Sequence, residues 1–170
     1  GGMDSCVTAA IASKEYKKLA FLHVNYGQKT EARELKAFKD IQNFYSSHES
    51  LIIDMKHFNK IGGSSLTDID IPISDADLNN KHIPSSYVPF RNANILSAAV
   101  SWAEIIDAKS IYIGAVEEDS SGYPDCRRSF FDAFETTIKK GTKPDTSIDI
   151  ITPLINLSKK EIILKGIELN

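Results

Sequence analysis

Two periods alternate along the chain. Apolar residues that recur every three or four positions mark helices, and short, nearly unbroken apolar runs mark buried strands. A helix-like stretch covers 6–12. The run Leu19-Ala20-Phe21-Leu22-His23-Val24-Asn25-Tyr26 then ends at Gly27 and reads as a parallel strand, with His23 as a packed core histidine. Over 29–46, Leu35, Phe38, Ile41 and Tyr45 fall at helical spacing, and Glu31 and Glu34 suit the positive end of that helix. Leu51-Ile52-Ile53-Asp54 is the next strand.

Periodicity fades over 56–86, a long loop or insertion containing Gly62-Gly63-Ser64-Ser65. That glycine pair has no strand before it and no following Lys-Ser, so it carries little weight as a phosphate site. Pattern returns at 92–107, where Ile95, Leu96, Ala99, Val100, Ala103 and Ile106 share a face. A strand over 110–115 leads to a polar loop, 117–126. A helix with Phe130, Phe134 and Ile138 on one face follows, with Lys139 and Lys140 before Gly141. A strand over 148–151 is stopped by Pro153, and a last helix runs over 158–169 with Ser158 as N-cap.

This alternation predicts an α/β fold with a mostly parallel sheet flanked by helices, forming one domain over 1–170. Ligands of such sheets sit beyond the carboxyl ends of the strands. Asn25-Tyr26, Gly114-Ala115 and the 117–126 loop occupy such ends.

Composition adds bounds. The 170 residues suffice for a substantial core, and a formal net charge of −3 gives no reason to expect a nucleic-acid grip. No apolar run is long enough to span a bilayer, and no secretory signal pattern is present. Cys6 and Cys126 are the only cysteines. Free thiols and a cytoplasmic location are the expectation, and two cysteines cannot furnish a four-ligand zinc site.

The candidate chemistry begins at Gly1-Gly2-Met3-Asp4-Ser5. Adjacent glycines leave backbone N–H groups open to a ligand, and a helix opening behind them adds unpaired donors and partial positive charge. Together these make a phosphate cradle. Ser5 adds a hydroxyl, and Asp4 a carboxylate for a cap or a metal. The competing reading is a frayed terminus with an ordinary N-cap.

Gly1-Gly2-Met3-Asp4-Ser5 resembles the pyrophosphate loop of PP-loop ATPases, whose signature is Ser-Gly-Gly-x-Asp-Ser. No Gly-x4-Gly-Lys-[Ser/Thr] motif competes. Further segments narrow the resemblance: Asn25-Tyr26-Gly27-Gln28 with Glu34-Leu35, Tyr87-Val88-Pro89-Phe90-Arg91-Asn92, Ser121-Gly122-Tyr123-Pro124-Asp125-Cys126-Arg127, and Pro153-Leu154-Ile155-Asn156-Leu157-Ser158-Lys159. In this order they resemble the 7-cyano-7-deazaguanine synthase family of queuosine biosynthesis, over nearly the whole chain. Phe90 departs from the family's usual Gly, and Glu117-Glu118 from a more typical Asn-containing start of that loop. The resemblance also leads us to expect a strand ahead of Gly1 and a cysteine-rich zinc region beyond Asn170; no metal ligands are assigned within the chain.

The resemblance implies an adenine-nucleotide alpha-hydrolase-like (PP-loop) fold and an ATP-dependent ligase. Its substrates would be 7-carboxy-7-deazaguanine, ammonia and ATP, with magnesium, and its products 7-cyano-7-deazaguanine, AMP and pyrophosphate. Asp4, Ser5 and Lys159 would be catalytic. Gly1, Gly2, Met3, Asp4, Ser5, Asn25, Tyr26 and Gly114 would hold ATP. Arg91, Asn92, Asp119, Tyr123, Asp125 and Arg127 would hold the substrate. Pattern alone reads Lys159 as a solvated lysine and Arg91 equally as a surface ion pair; for Asp125 the competing reading is a cap of the helix that follows it. Cys126 reads more readily as a small buried thiol than as a nucleophile. Members of the family are often homodimers; neither nucleic acid nor membrane is expected as a direct partner. Two other functions fit parts of the pattern: a tRNA-thiolating PP-loop enzyme, disfavoured by the net acidity, and a nucleotide-binding module without turnover, disfavoured by the presence of both Asp4 and Ser5.

Overall fold

The computed structural model describes residues 2–47, 49–68, 70–71, 83–117 and 123–169. The chain divides into two compact units, one of Gly1–Gly2, Tyr16–Pro89 and Ser121–Tyr123, the other of Met3–Glu15, Phe90–Ser120 and Pro124–Asn170. The fold is α/β, with parallel strands joined through helices, as the alternating pattern predicts.

The second unit opens with α1 (Met3–Glu15), which starts three residues before the predicted stretch. In the first unit, β1 (Ala20–Asn25) and β2 (Glu49–Asp54) pair in parallel, with Ala20 opposite Glu49 and Asn25 opposite Asp54. Between them in sequence runs α2 (Glu31–Phe44), whose one fully buried side chain is Phe38. His23 lies beside the Phe38 ring, 5.1 Å between centroids, and is buried. It shares a 2.8 Å hydrogen bond with Asn25 Oδ1, and desolvation holds its pKa below the ordinary histidine value. The reading of His23 as a core histidine holds.

Within the predicted 56–86 loop, a short helix α3 (His57–Ile61) buries Phe58. Gly62 and Gly63 both take positive φ, and the two serines after them are completely buried. Ser65 N–H donates to the Ser85 carbonyl at 2.8 Å, and Ser64 Oγ accepts from Leu66 N–H at 3.2 Å. These serines tie the loop together.

In the second unit α4 (Arg91–Ile105) leads to β3 (Ser110–Tyr112), and α5 (Arg128–Gly141) carries the chain to β4 (Asp149–Ile151). β3 and β4 are parallel, Ile111 opposite Ile150. The final helix is α6 (Lys159–Leu169). Leu96, Ala103, Phe131, Ile138, Ile148 and Ile150 form the main core, while Val7, Val116, Leu154 and Ile162 form a second cluster. The seam of α5 differs in detail from the predicted face. Phe131 is fully buried with Ile138, and Phe130 and Phe134 flank them. Positions seven apart return to within about 20° on a helix of 3.6 residues per turn, so 131 and 138 share one line more closely than 130 and 138.

Two glycines allow close approach in this unit. A Cβ at Gly166 would lie 3.1 Å from Val7 Cγ2, so α6 nests against α1. A Cβ at Gly114, just past β3, would lie 3.0 Å from Thr8 Oγ1 and 3.1 Å from the carbonyl carbon and oxygen of Asp4. Among the described residues no helix is long and apolar enough to cross a membrane.

Candidate functional site

The residues of the predicted phosphate cradle lie at the start of α1. Because the helix begins at Met3, Asp4 and Ser5 belong to its first turn rather than to a loop before it. N–H groups of a first turn have no partner inside the helix, and its end carries partial positive charge. Ser5 is exposed, and a Cβ at Gly2 would meet nothing within 4 Å among the described residues. Among the described residues, that side of Gly2 is open. Gly1 lies outside the described residues.

Asp4 does not sit at the cap position that the competing reading gave it. Its two carboxylate oxygens lie 3.2 and 3.0 Å from Lys159 Nζ, in the first turn of α6. The lysine that pattern alone read as solvated is therefore brought to the first turn of α1 from 155 residues away. Both side chains remain partly open to solvent, at 50% for Lys159 and 30% for Asp4, so a ligand can reach the pair. α6 is held in turn by a capping box. Ser158 N–H and Oγ–H donate to Glu161 Oε2 at 2.8 and 2.7 Å, and Ser158 Oγ accepts from Glu161 N–H at 3.4 Å. The Ser158 hydroxyl and N–H together hold the Glu161 carboxyl below the usual range. Ser158 is an N-cap, as its position predicts.

Gly114 enters this site as a spacer. Its missing side chain lets the end of β3 approach the Asp4 backbone, which fixes the first turn of α1. Thr8, one turn further on, buries its hydroxyl without a partner among the described residues.

Two of the predicted substrate residues, Asn92 and Asp125, meet at the start of α4. Asn92 and Asp125 are both buried. Asp125 Oδ2 accepts from the Asn92 backbone N–H at 2.8 Å, and Asn92 Nδ2 donates to the Asp125 carbonyl at 2.9 Å and to Cys126 Sγ at 3.2 Å. Asp125 thus caps α4, not the helix that follows it. The α5 cap is Glu117, whose Oε2 accepts from Arg128 N–H at 3.1 Å. The competing reading of Asp125 had the right role and the wrong helix. Arg91 is half-buried at the first position of α4, and Arg127 is exposed immediately before α5. Phe90 is the N-cap of α4 and takes a left-handed conformation, φ 57° and ψ 26°. Glycine adopts that geometry without steric cost, which gives a physical reason for the glycine the resemblance expects there.

Cys6 is an exposed thiol, and Cys126 is a buried one that accepts from Asn92 Nδ2. Among the described residues no group of three or more His, Cys, Asp or Glu side chains could hold a metal ion, so these residues do not fit a structural zinc. An open groove of about 550 Å³ between α1 and α6 is lined by Met3, Cys6, Val7, Ile163, Gly166 and Ile167. No charged side chain lines it, so it is ill suited to a triphosphate.

In the first unit, Asn25 and Tyr26 stand at the carboxyl end of β1. Asn25 is buried on His23, and Tyr26 N–H donates to Gln28 Oε1 at 2.9 Å. Gln28 in turn donates to Glu34 at 3.2 Å. Tyr123 shares a 2.6 Å hydrogen bond with Ser86 Oγ and lies 5.8 Å from the Tyr87 ring. Asp119 lies outside the described residues. Gln28 and Glu117 stood within the quoted motifs without being given these roles, and Ser86 only neighbours the Tyr87 segment.

A family model described as "Queuosine biosynthesis protein QueC" matches residues 1–170. Curated relatives agree with it. A protein of Chloroherpeton thalassium named 7-cyano-7-deazaguanine synthase is 61% identical over 169 residues, 99% of this chain and 75% of the relative. Proteins with the same name from Chlorobium limicola and Chlorobium phaeobacteroides are 58% and 60% identical, again over 75% of their lengths.

Proposed function

The chain belongs to the family of queuosine biosynthesis proteins QueC, and on that premise we propose that it is an ATP-dependent carbon–nitrogen ligase that converts 7-carboxy-7-deazaguanine and ammonia into 7-cyano-7-deazaguanine. The observation that carries the reading is the pairing of Asp4 with Lys159 at the open first turn of α1.

The chemistry requires two activations. A substrate carboxylate oxygen attacks the α-phosphorus of ATP, pyrophosphate leaves, and an acyl adenylate remains. Ammonia then adds at the carbonyl carbon and AMP leaves, giving the amide after loss of a proton. The amide oxygen attacks the α-phosphorus of a second ATP and a second pyrophosphate leaves; loss of AMP and of both nitrogen protons from the adenylated amide then forms the nitrile. Carboxylate oxygen is a poor leaving group and AMP a good one, so both oxygens of the acid depart on AMP.

The protein's share is positioning and charge stabilisation. The N–H groups of the first turn of α1 and the Ser5 hydroxyl would bind the departing pyrophosphate. The Lys159 ammonium would neutralise charge developing on it, and Asp4 would keep that ammonium in place. Magnesium asks only one or two carboxylates of a protein, and Asp4 is the carboxylate that this first turn offers. Bound there, it would screen the phosphate oxygens, with Asp4 the residue able to hold it. In the substrate half of the reaction, the Asp125 carboxylate would accept from the amino-imino edge of the base. Arg91 and Arg127 are the guanidinium candidates for the substrate carboxylate.

The test uses substrate carrying ¹⁸O in its carboxylate, with ATP and ammonia. We expect nitrile, with the label in AMP and none in pyrophosphate. Formation of ADP and phosphate, or unlabelled AMP, contradicts attack at the α-phosphorus.

A further inference from the structure

Asn92 was expected to bind substrate directly. Its hydrogen bonds tell a different story. The backbone N–H is committed to Asp125 Oδ2, and Nδ2 reaches both the Asp125 carbonyl and Cys126 Sγ. The residue is 6% exposed and Asp125 is 4% exposed, so both are withdrawn into the protein. These bonds grip Asp125 from two sides, by its carboxylate and by its own main chain. The left-handed Phe90 starts α4 two residues earlier, and the Asn92 N–H is one of the helix's unpaired first-turn donors.

We propose that Asn92 is a positioning residue that sets affinity for the deazapurine substrate through Asp125, without itself touching the substrate. This rests on the assignment of Asp125 to the substrate under the proposed function. Asn92 acts by occupying Oδ2 and ordering the Asp125 main chain. With Oδ2 fixed by the Asn92 N–H, the carboxylate has one rotamer to offer, and Oδ1 accepts no hydrogen bond among the described residues. A pre-oriented acceptor loses less freedom on binding than a mobile one. The Nδ2 bond to the Asp125 carbonyl holds the one-turn helix over Pro124–Cys126 against α4, so the acceptor's backbone is ordered as well.

A double-mutant cycle tests this, reading KM for 7-carboxy-7-deazaguanine and KM for ATP in the same preparations. Asp125→Ala should raise the substrate KM at least about tenfold, as expected for loss of a charged hydrogen bond, and leave the ATP KM unchanged. Asn92→Ala retains the backbone N–H and should raise the substrate KM by a smaller factor. The double variant should be no worse than Asp125→Ala, because residues that act as one unit do not add. Fully additive losses would mean that Asn92 acts on the substrate independently, and would overturn the inference while leaving Asp125 its role. An unchanged KM in Asp125→Ala would remove Asp125 from the substrate site and the inference with it, while AMP formation would still support the ligase reading. Equal loss of ATP and substrate affinity in Asn92→Ala would mark a general structural role and would also overturn it. If Asn92→Ala does not fold, Asn92→Ser, which keeps a short donor, carries the same cycle with the same outcomes.

Discussion

Gly114→Ala probes the link between the sheet and the first turn of α1, the proposed phosphate site. Gly114 does not have positive φ, so alanine is allowed there by backbone geometry and the effect is steric alone. The new Cβ would lie 3.0 Å from Thr8 Oγ1 and 3.1 Å from two main-chain atoms of Asp4, where ordinary contact begins at 3.4 Å. Removing the overlap requires the first turn of α1 to retreat by a few tenths of an ångström, since two of the three atoms are backbone. Overpacking of this kind costs about 1–3 kcal/mol of stability. A displacement of ~1 Å in a positioned reactant costs about 10²-fold in rate, so a third of that distance predicts a loss of roughly fivefold in kcat for AMP formation. Urea unfolding and AMP release measured on one preparation give both quantities. Thr8→Ala in the Gly114→Ala background should recover part of the loss, because it clears one contact and leaves the two with Asp4. A Gly114→Ala protein with unchanged stability and unchanged kcat would refute the reasoning, because the first turn of α1 would then not depend on the closeness of residue 114.

Two further outcomes follow from local geometry. At residue 90, Gly should give a more stable protein than Ala by about 1 kcal/mol, because both lack the aromatic ring and only Ala bears the left-handed strain; equal unfolding midpoints for Phe90→Gly and Phe90→Ala would contradict that strain. His23, kept neutral by burial, binds fewer protons folded than unfolded. Its contribution is fully present above the ordinary pKa of about 6.5 and declines as pH falls towards the lowered folded value. Urea unfolding from pH 5 to 8 should therefore show stability rising with pH in that window, and a His23→Gln variant should have a smaller slope; an unchanged slope would assign it to another group.

What the sequence reveals depends on how far apart the partners are. The four strands and their parallel sense were legible because each is a short apolar run and the helices between carry a different period; which strand pairs with which came from the structure. Ser158 was legible as a cap because its partner, Glu161, is three residues away. The same logic failed for Asp125. Proximity suggested the helix after it, whereas its carboxylate reaches Asn92, 33 residues earlier, and Glu117 supplies the cap of α5. Lys159 is the extreme case. Its pattern is that of a surface lysine, and only its place in the Pro153–Lys159 motif raised it as a candidate. The pairing with Asp4 is a property of how α1 and α6 pack, with Gly166 allowing the approach. Phe90 shows the converse. Its departure from an expected glycine was visible in the sequence, and the left-handed backbone supplies the cause.

Everything functional rests on where the triphosphate binds. The most direct measurement is a crystal of the protein soaked with an ATP analogue whose α,β-bridging oxygen is replaced by methylene, which cannot be cleaved at that position. The β- and γ-phosphates should lie within hydrogen-bond reach of the backbone N–H groups of residues 3–5 and of the Ser5 hydroxyl, with Lys159 Nζ beside them. A triphosphate bound away from the first turn of α1, touching neither Ser5 nor Lys159, would contradict the account.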